Sequence, residues 1–165
     1  MEIPVFVSCP TSLNDKQAIS RAIVIRLLKR YSLEPRALGR SDYPTELPLR
    51  EVLGISRHCA GGIILGFEQY RSMQGINKPG TAEEQYQNFP TSFPTPWNQL
   101  EAGILFGLRL PILIFKEGDI SGGIFDPGVT DVFIHPMPDD ASDSRALNAV
   151  FLKWQGNVQQ KYHEE

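Results

Sequence analysis

Cysteine is scarce in this chain. Only Cys9 and Cys59 occur among 165 residues, and neither has a second Cys or a His at ligand spacing, so neither a disulfide framework nor a zinc site is expected. Both thiols are expected to be reduced. Long apolar runs are missing too, and no stretch approaches the length of a membrane span. The opening Met-Glu-Ile-Pro-Val-Phe-Val-Ser-Cys lacks a basic start and an extended apolar core, so no signal peptide and a cytoplasmic location are expected. Positive charge is not in excess: the net charge is -3, which argues against a nucleic-acid protein whose affinity rests on phosphate neutralisation. There is no Walker loop and no G-x-G-x-x-G, so ordinary ATP or dinucleotide binding has no motif behind it.

What is present is one domain's worth of alternating strand and helix signals over residues 1–165. Pro4 to Cys9 is a buried strand by its Val and Phe content. Asn14 or Asp15 can cap a helix to about Tyr31, with Ile19, Ile23 and Leu27 on its inner face. Leu33 to Gly39 reads as a second strand, and Pro35 within it calls for an edge position. A helix over Pro48 to Cys59 precedes a third strand, Gly61 to Phe67, whose lack of polar alternation requires cover on both faces. Residues 68–95, rich in Gly and Pro, read as a long insertion loop. Leu110 to Phe115 and Asp131 to Met137 are further strands, and a last helix capped by Ser142 or Asp143 buries Leu147, Val150, Phe151, Trp154 and Val158. The pattern predicts an α/β fold, flavodoxin-like, with an open five-stranded mainly parallel sheet and helices on both faces.

Between the insertion and the fourth strand lies the stretch around which the chain is organised. Thr95 can cap a helix with Pro96 at its first position. On that helix Trp97, Leu100, Glu101, Ile104, Leu105 and Leu108 are spaced three and four apart, which places Glu101 on the apolar face. A carboxylate there costs free energy unless it is paired, and such groups are enriched at working sites; the alternative is a Glu at the rim of the face reaching water or an Arg. In open parallel sheets ligands bind beyond the carboxyl ends of the strands, so Ser8, Cys9, Pro10 and Thr11 at the first turn are candidate substrate contacts. Phe67, Trp97 and Asn98 join them, as do Arg40, which could clamp a phosphate, and Tyr43, which could stack on a base. Trp97 could equally pack in the core. Cys9 as a nucleophile would need a His across the crevice, and His58 and His135 read as structural.

Several of these stretches resemble the Toll/interleukin-1 receptor (TIR) domain. Thr95-x-Trp97-Asn98-x-x-Glu101 is similar to its Ser-x-Trp-Cys-x-x-Glu helix signature, Val5-Phe6-Val7-Ser8 with Asn14-Asp15 to its opening, and Leu110-Pro111-Ile112-Leu113-Ile114 to its Pro-Ile strand. The same helix also resembles that of the nucleoside 2-deoxyribosyltransferase group, where a nucleophilic Glu matches Glu101 and a Gly matches Gly103. Thr95, Trp97, Asn98 and Phe6 depart from that second pattern.

Enzymatic TIR domains imply a hydrolase that cleaves NAD to nicotinamide and ADP-ribose or cyclic ADP-ribose, in bacteria often in antiphage signalling. Glu101 is then the catalytic carboxylate. NAD is a substrate here, with no separate cofactor and no metal. The alternatives implied are a nucleoside or nucleotide N-glycosidase and a non-catalytic nucleotide-binding or TIR-type interaction module. Expected partners are a small nucleotide or nucleoside and a homo-oligomer, without nucleic acid or membrane, and the insertion is expected to form a lid or an oligomer contact.

Overall fold

The computed structural model describes residues 2–37 and 48–164. Five strands, β1 (Ile3–Ser8), β2 (Leu33–Arg36), β3 (Gly62–Gly66), β8 (Ile112–Lys116) and β9 (Ile134–Pro136), form one all-parallel sheet in the order β2-β1-β3-β8-β9. β2 is indeed an edge, where Pro35, opposite Val5, costs the sheet no interior hydrogen bond. Four helices, α1 (Asp15–Arg30), α2 (Pro48–Arg57), α3 (Pro96–Gly107) and α4 (Ser144–His163), cover the two faces.

Alternation along the strands sorts the core into two layers. Val5, Val7, Ile63, Leu65, Leu113 and Phe115 pack with Val24, Leu27 and Leu28 of α1 and Phe151, Trp154 and Val158 of α4. Phe6, Ile64, Ile112 and Ile114 face the other way, against Val52 of α2 and Ala102 and Leu105 of α3. On this second face the strands carry two glycines where contact is closest. A Cβ on Gly62 would stand 2.4 Å from Leu105 Cδ1, and one on Gly66 would stand 2.3 Å from Phe125 Cε1. Phe125 is fully buried and its ring has nowhere to retreat. Gly66→Ala is therefore expected to lower stability by about 1–3 kcal/mol, read from urea unfolding. Gly54→Ala, in α2 with open space around it, is the control and should be neutral or slightly stabilising.

Three elements besides α3 differ from their sequence expectations. The inner face of α1 is Gln17, Ser20, Val24, Leu27 and Leu28, while Ile19 is 42% exposed. Gln17 is drawn inward by distant hydrogen-bond partners at the strand ends. Residues 68–95 are not a loop but a ribbon arm of two tiers. β4 (Tyr70–Ser72) pairs antiparallel with β7 (Thr91–Phe93), and beyond it β5 (Gly75–Asn77) pairs antiparallel with β6 (Gln85–Gln87). The last strand is three residues long, because Asp131–Phe133 turns before pairing begins.

The Gly-rich stretch after β8 is clamped to α3. Gln99 Nε2 donates to Gly122 O at 3.0 Å and Gln99 Oε1 accepts from Ile124 N at 3.0 Å. Gly122 and Gly123, at φ of 96° and 57°, permit that reversal, and a side chain on Gly123 would strike Gln99. The clamp presents Phe125, on the 3-10 turn Gly123–Phe125, to the core.

Candidate functional site

Two segments meet at the point where the strand order reverses, between β1 and β3, which is where open α/β sheets hold ligands. α3 begins as its sequence requires: Thr95 Oγ1 accepts from Trp97 N, and Pro96 takes the first turn. The helix then buries Asn98, Glu101, Ala102 and Leu105. Leu100, expected inside, is 46% exposed, so the inner face is rotated toward Asn98. Glu101 is 2% exposed, as its place on the apolar face requires.

Asn98 fixes this helix to the sheet. Its Nδ2 donates to Ser8 Oγ at 2.8 Å and to Leu65 O at 3.4 Å, tying α3 to the carboxyl ends of β1 and β3. Ser8 and Asn98 are both buried, and Asn98 Oδ1 has no hydrogen-bond partner among the described residues. Cys9 follows on β1, half-buried, with its Sγ donating to Pro10 O at 3.4 Å. Burial pushes the Cys9 thiol up to about 12, Arg21 opposes the shift and the Glu101 charge adds to it. A thiol at about 12 instead of 9.0 has about a thousandfold less thiolate than an unperturbed one. Iodoacetamide near neutral pH is expected to label Cys9 slower than a free thiol by about that factor. Cys9 is thus a poor nucleophile in this state.

The remaining candidates are dispersed. Pro10 is buried and Thr11 is exposed at the turn before α1. Trp97 is half-buried against the α3-side core. Phe67 is fully buried in the opposite layer, with Phe115 and Phe151, as a core residue. Arg40 and Tyr43 lie outside the described residues. Comparison with family models, with curated proteins and with solved structures finds no match for this chain.

A polar hub at the neighbouring strand ends escaped sequence reasoning. Gln17 Nε2 donates to Glu117 Oε2 at 2.8 Å and to Glu68 O at 3.0 Å, and Glu68 N donates to the same Glu117 oxygen at 2.7 Å. Glu117, one residue past β8, thereby joins α1 to the end of β3. The Glu68 carboxylate receives Arg71 and Ser92, at the base of the arm, and hydrogen bonds from these two hold it below the usual carboxylate range. Only the Asn14-x-x-Gln17 spacing signalled Gln17, whose Oε1 completes a capping box with Asn14 N. Its other partners are 51 and 100 residues away.

Two cavities lie elsewhere. A groove of about 1080 Å³ runs beside the amino-terminal half of β8, between α3 and α4, with Phe106, Phe133 and Trp154 in its walls. A hollow of about 340 Å³ at the ends of β8 and β9 is lined by Lys16, Ser20, Lys116 and His135. Burial holds the His135 imidazole below its ordinary range, and the ring packs 6.0 Å from Phe115, in keeping with a structural role. Among the described residues there is no group of three or more His, Cys, Asp or Glu placed to hold a metal, and no helix is long and apolar enough to cross a membrane.

Proposed function

We propose that this chain cleaves an N-glycosidic bond, with NAD as the favoured substrate and Glu101 as the catalytic carboxylate. The observation that carries the reading is the burial of Glu101 on α3, one helical turn beyond Asn98, which is bonded to Ser8 where the strand order reverses. The resemblance of Thr95-x-Trp97-Asn98-x-x-Glu101 to the TIR helix signature supports the same assignment.

The chemistry asks little of the protein beyond that charge. The bond between ribose C1′ and the nicotinamide nitrogen breaks, its electron pair neutralises the pyridinium, and the ribose becomes oxocarbenium-like. Glu101 stabilises the positive charge or traps C1′ as a transient ester. Attack of water at C1′, with loss of a proton, gives ADP-ribose; attack by an adenine nitrogen gives the cyclic product. A carboxylate shut away from bulk water acts more strongly on a developing cation than an exposed one. For the same reason substrate must part the neighbours of Glu101 to reach it.

The test is incubation of native protein and Glu101→Gln with NAD and a panel of nucleosides and nucleotides, resolved by chromatography. Nicotinamide release by the native chain alone supports the reading. Release of a free purine or pyrimidine base instead would move the assignment to a nucleosidase. Absence of turnover at every protein concentration would favour a binding module.

A further inference from the structure

The arm carries its apolar residues outward. Tyr70, Met73, Ile76, Tyr86, Phe89 and Phe93 are each 41–69% exposed, although large apolar side chains gathered on one element normally mark a contact surface. Two of the pairs sit directly across the ribbon, Tyr70 opposite Phe93 and Ile76 opposite Tyr86. The Tyr70 and Phe93 rings lie 6.2 Å apart. Nothing among the described residues supplies a third strand to either tier. Two-stranded ribbons of this length are marginal in water unless a further layer covers them.

The charges of the arm narrow what that layer is. Arg71 is taken up by Glu68, Lys78 by Glu83, and Glu84 Oε2 accepts from Gly80 N at 2.5 Å. The arm therefore offers no free basic track to nucleic acid or anionic lipid, and no free acidic one to a basic partner. A neutral apolar surface of this kind is matched by another like itself. Side chains of this size cover about 150–250 Å² each when wholly buried, so the exposed portions of six amount to roughly 500–800 Å² per copy. That approaches the ~800 Å² per partner of a standard specific interface.

We propose that the arm is a self-association surface through which two copies of this chain pair about a two-fold axis. The pairing sets Ile76 and Tyr86 of one protomer against the same residues of its partner. Because each copy spends its one arm on the other, the assembly closes at two. The groove beside β8 is the rival acceptor and would give head-to-tail chains without closure. Its walls carry charges of both signs, Arg109, Lys153 and Lys161 with Asp131 and Glu164, and burying these against the apolar arm would cost desolvation, so the groove is the poorer match.

Light scattering after size exclusion, across a dilution series, tests the proposal. Native protein should pass from monomer to dimer with rising concentration. Ile76→Glu combined with Tyr86→Lys should remain monomeric throughout, with unchanged circular dichroism because both positions are exposed and the opposite charges face one another across the ribbon. Phe133→Glu, in the groove, should dimerise like the native chain. The proposal is overturned by a native chain that stays monomeric at all concentrations, by masses that grow beyond two copies, or by dimers that survive the arm substitutions. A native monomer that instead sediments with phosphatidylcholine vesicles would overturn it in favour of a lipid surface.

Discussion

Glu101→Gln is expected to reduce nicotinamide release from NAD by roughly 10²–10⁴-fold while leaving the fold intact. The exchange nearly keeps shape and volume, removes the negative charge and replaces one acceptor oxygen with an NH2 donor. That distinction matters at a position 2% exposed, where Glu101→Ala would also open a cavity and confuse lost chemistry with lost packing. If the charge works on the oxocarbenium-like state, the loss falls on kcat and leaves KM nearly unchanged, since NAD itself offers less positive charge at C1′ than the transition state does. A loss confined to KM would make Glu101 a binding residue. Turnover equal to the native rate would falsify the catalytic assignment outright.

Phe151→Ala is expected to cost about 3–5 kcal/mol, the largest effect on stability of any single substitution considered. Phe151 is fully buried on α4 and is the centre of an aromatic cluster. It stacks on Tyr31 at 6.3 Å and on Phe115 at 5.9 Å, and meets the edge of Trp154 at 6.0 Å. These rings belong to the end of α1, to β8 and to α4, so the substitution leaves three elements facing one void. Trp154 Nε1 cannot follow inward without giving up its 3.1 Å bond to Pro111 O. A domain of this size is ordinarily stable by about 5–15 kcal/mol, so the variant should unfold at a much lower urea concentration. Leu152→Ala, one position along and 57% exposed, should stay within about 0.5 kcal/mol of the native chain. Equal midpoints for the two variants would mean that α4 contributes little to the cooperative core.

The elements visible in the sequence were those whose signal is local. Asn14, Thr95 and Asp143 cap their helices through their own side chains, and the unbroken apolar run around Ile63–Leu65 marked a strand covered on both sides. Glu101 was legible for the same reason, because three-and-four spacing placed it inside. The arm was not legible: its strands are three residues each and too short for alternation to show. Their pairing is set by partners up to 23 residues away, as with Tyr70 and Phe93. On α1, Leu27 and Ile23 do face the core as expected, but Ile19 does not, because hydropathy cannot foresee that Gln17 will find Glu117 across 100 positions. Ser8 was a candidate from its place at a strand end, but its bond to Asn98 appears only once α3 lies on the sheet.

The two faces of the sheet are filled by different means, and this bears on how the sequence can drift. On the α1 and α4 side the strands contribute Val, Ile, Leu and Phe side chains, which can be exchanged for one another provided volume is conserved. On the α3 side Gly62 and Gly66 leave no room for even one added carbon, and Ser8 is committed to Asn98. Related chains should therefore diverge more freely in the first layer, except at Gly61, where a Cβ would stand 2.6 Å from Val158 Cγ2, and hold the second almost fixed. The face that cradles Glu101 would then keep its identity through steric exclusion, even in a descendant without the proposed chemistry.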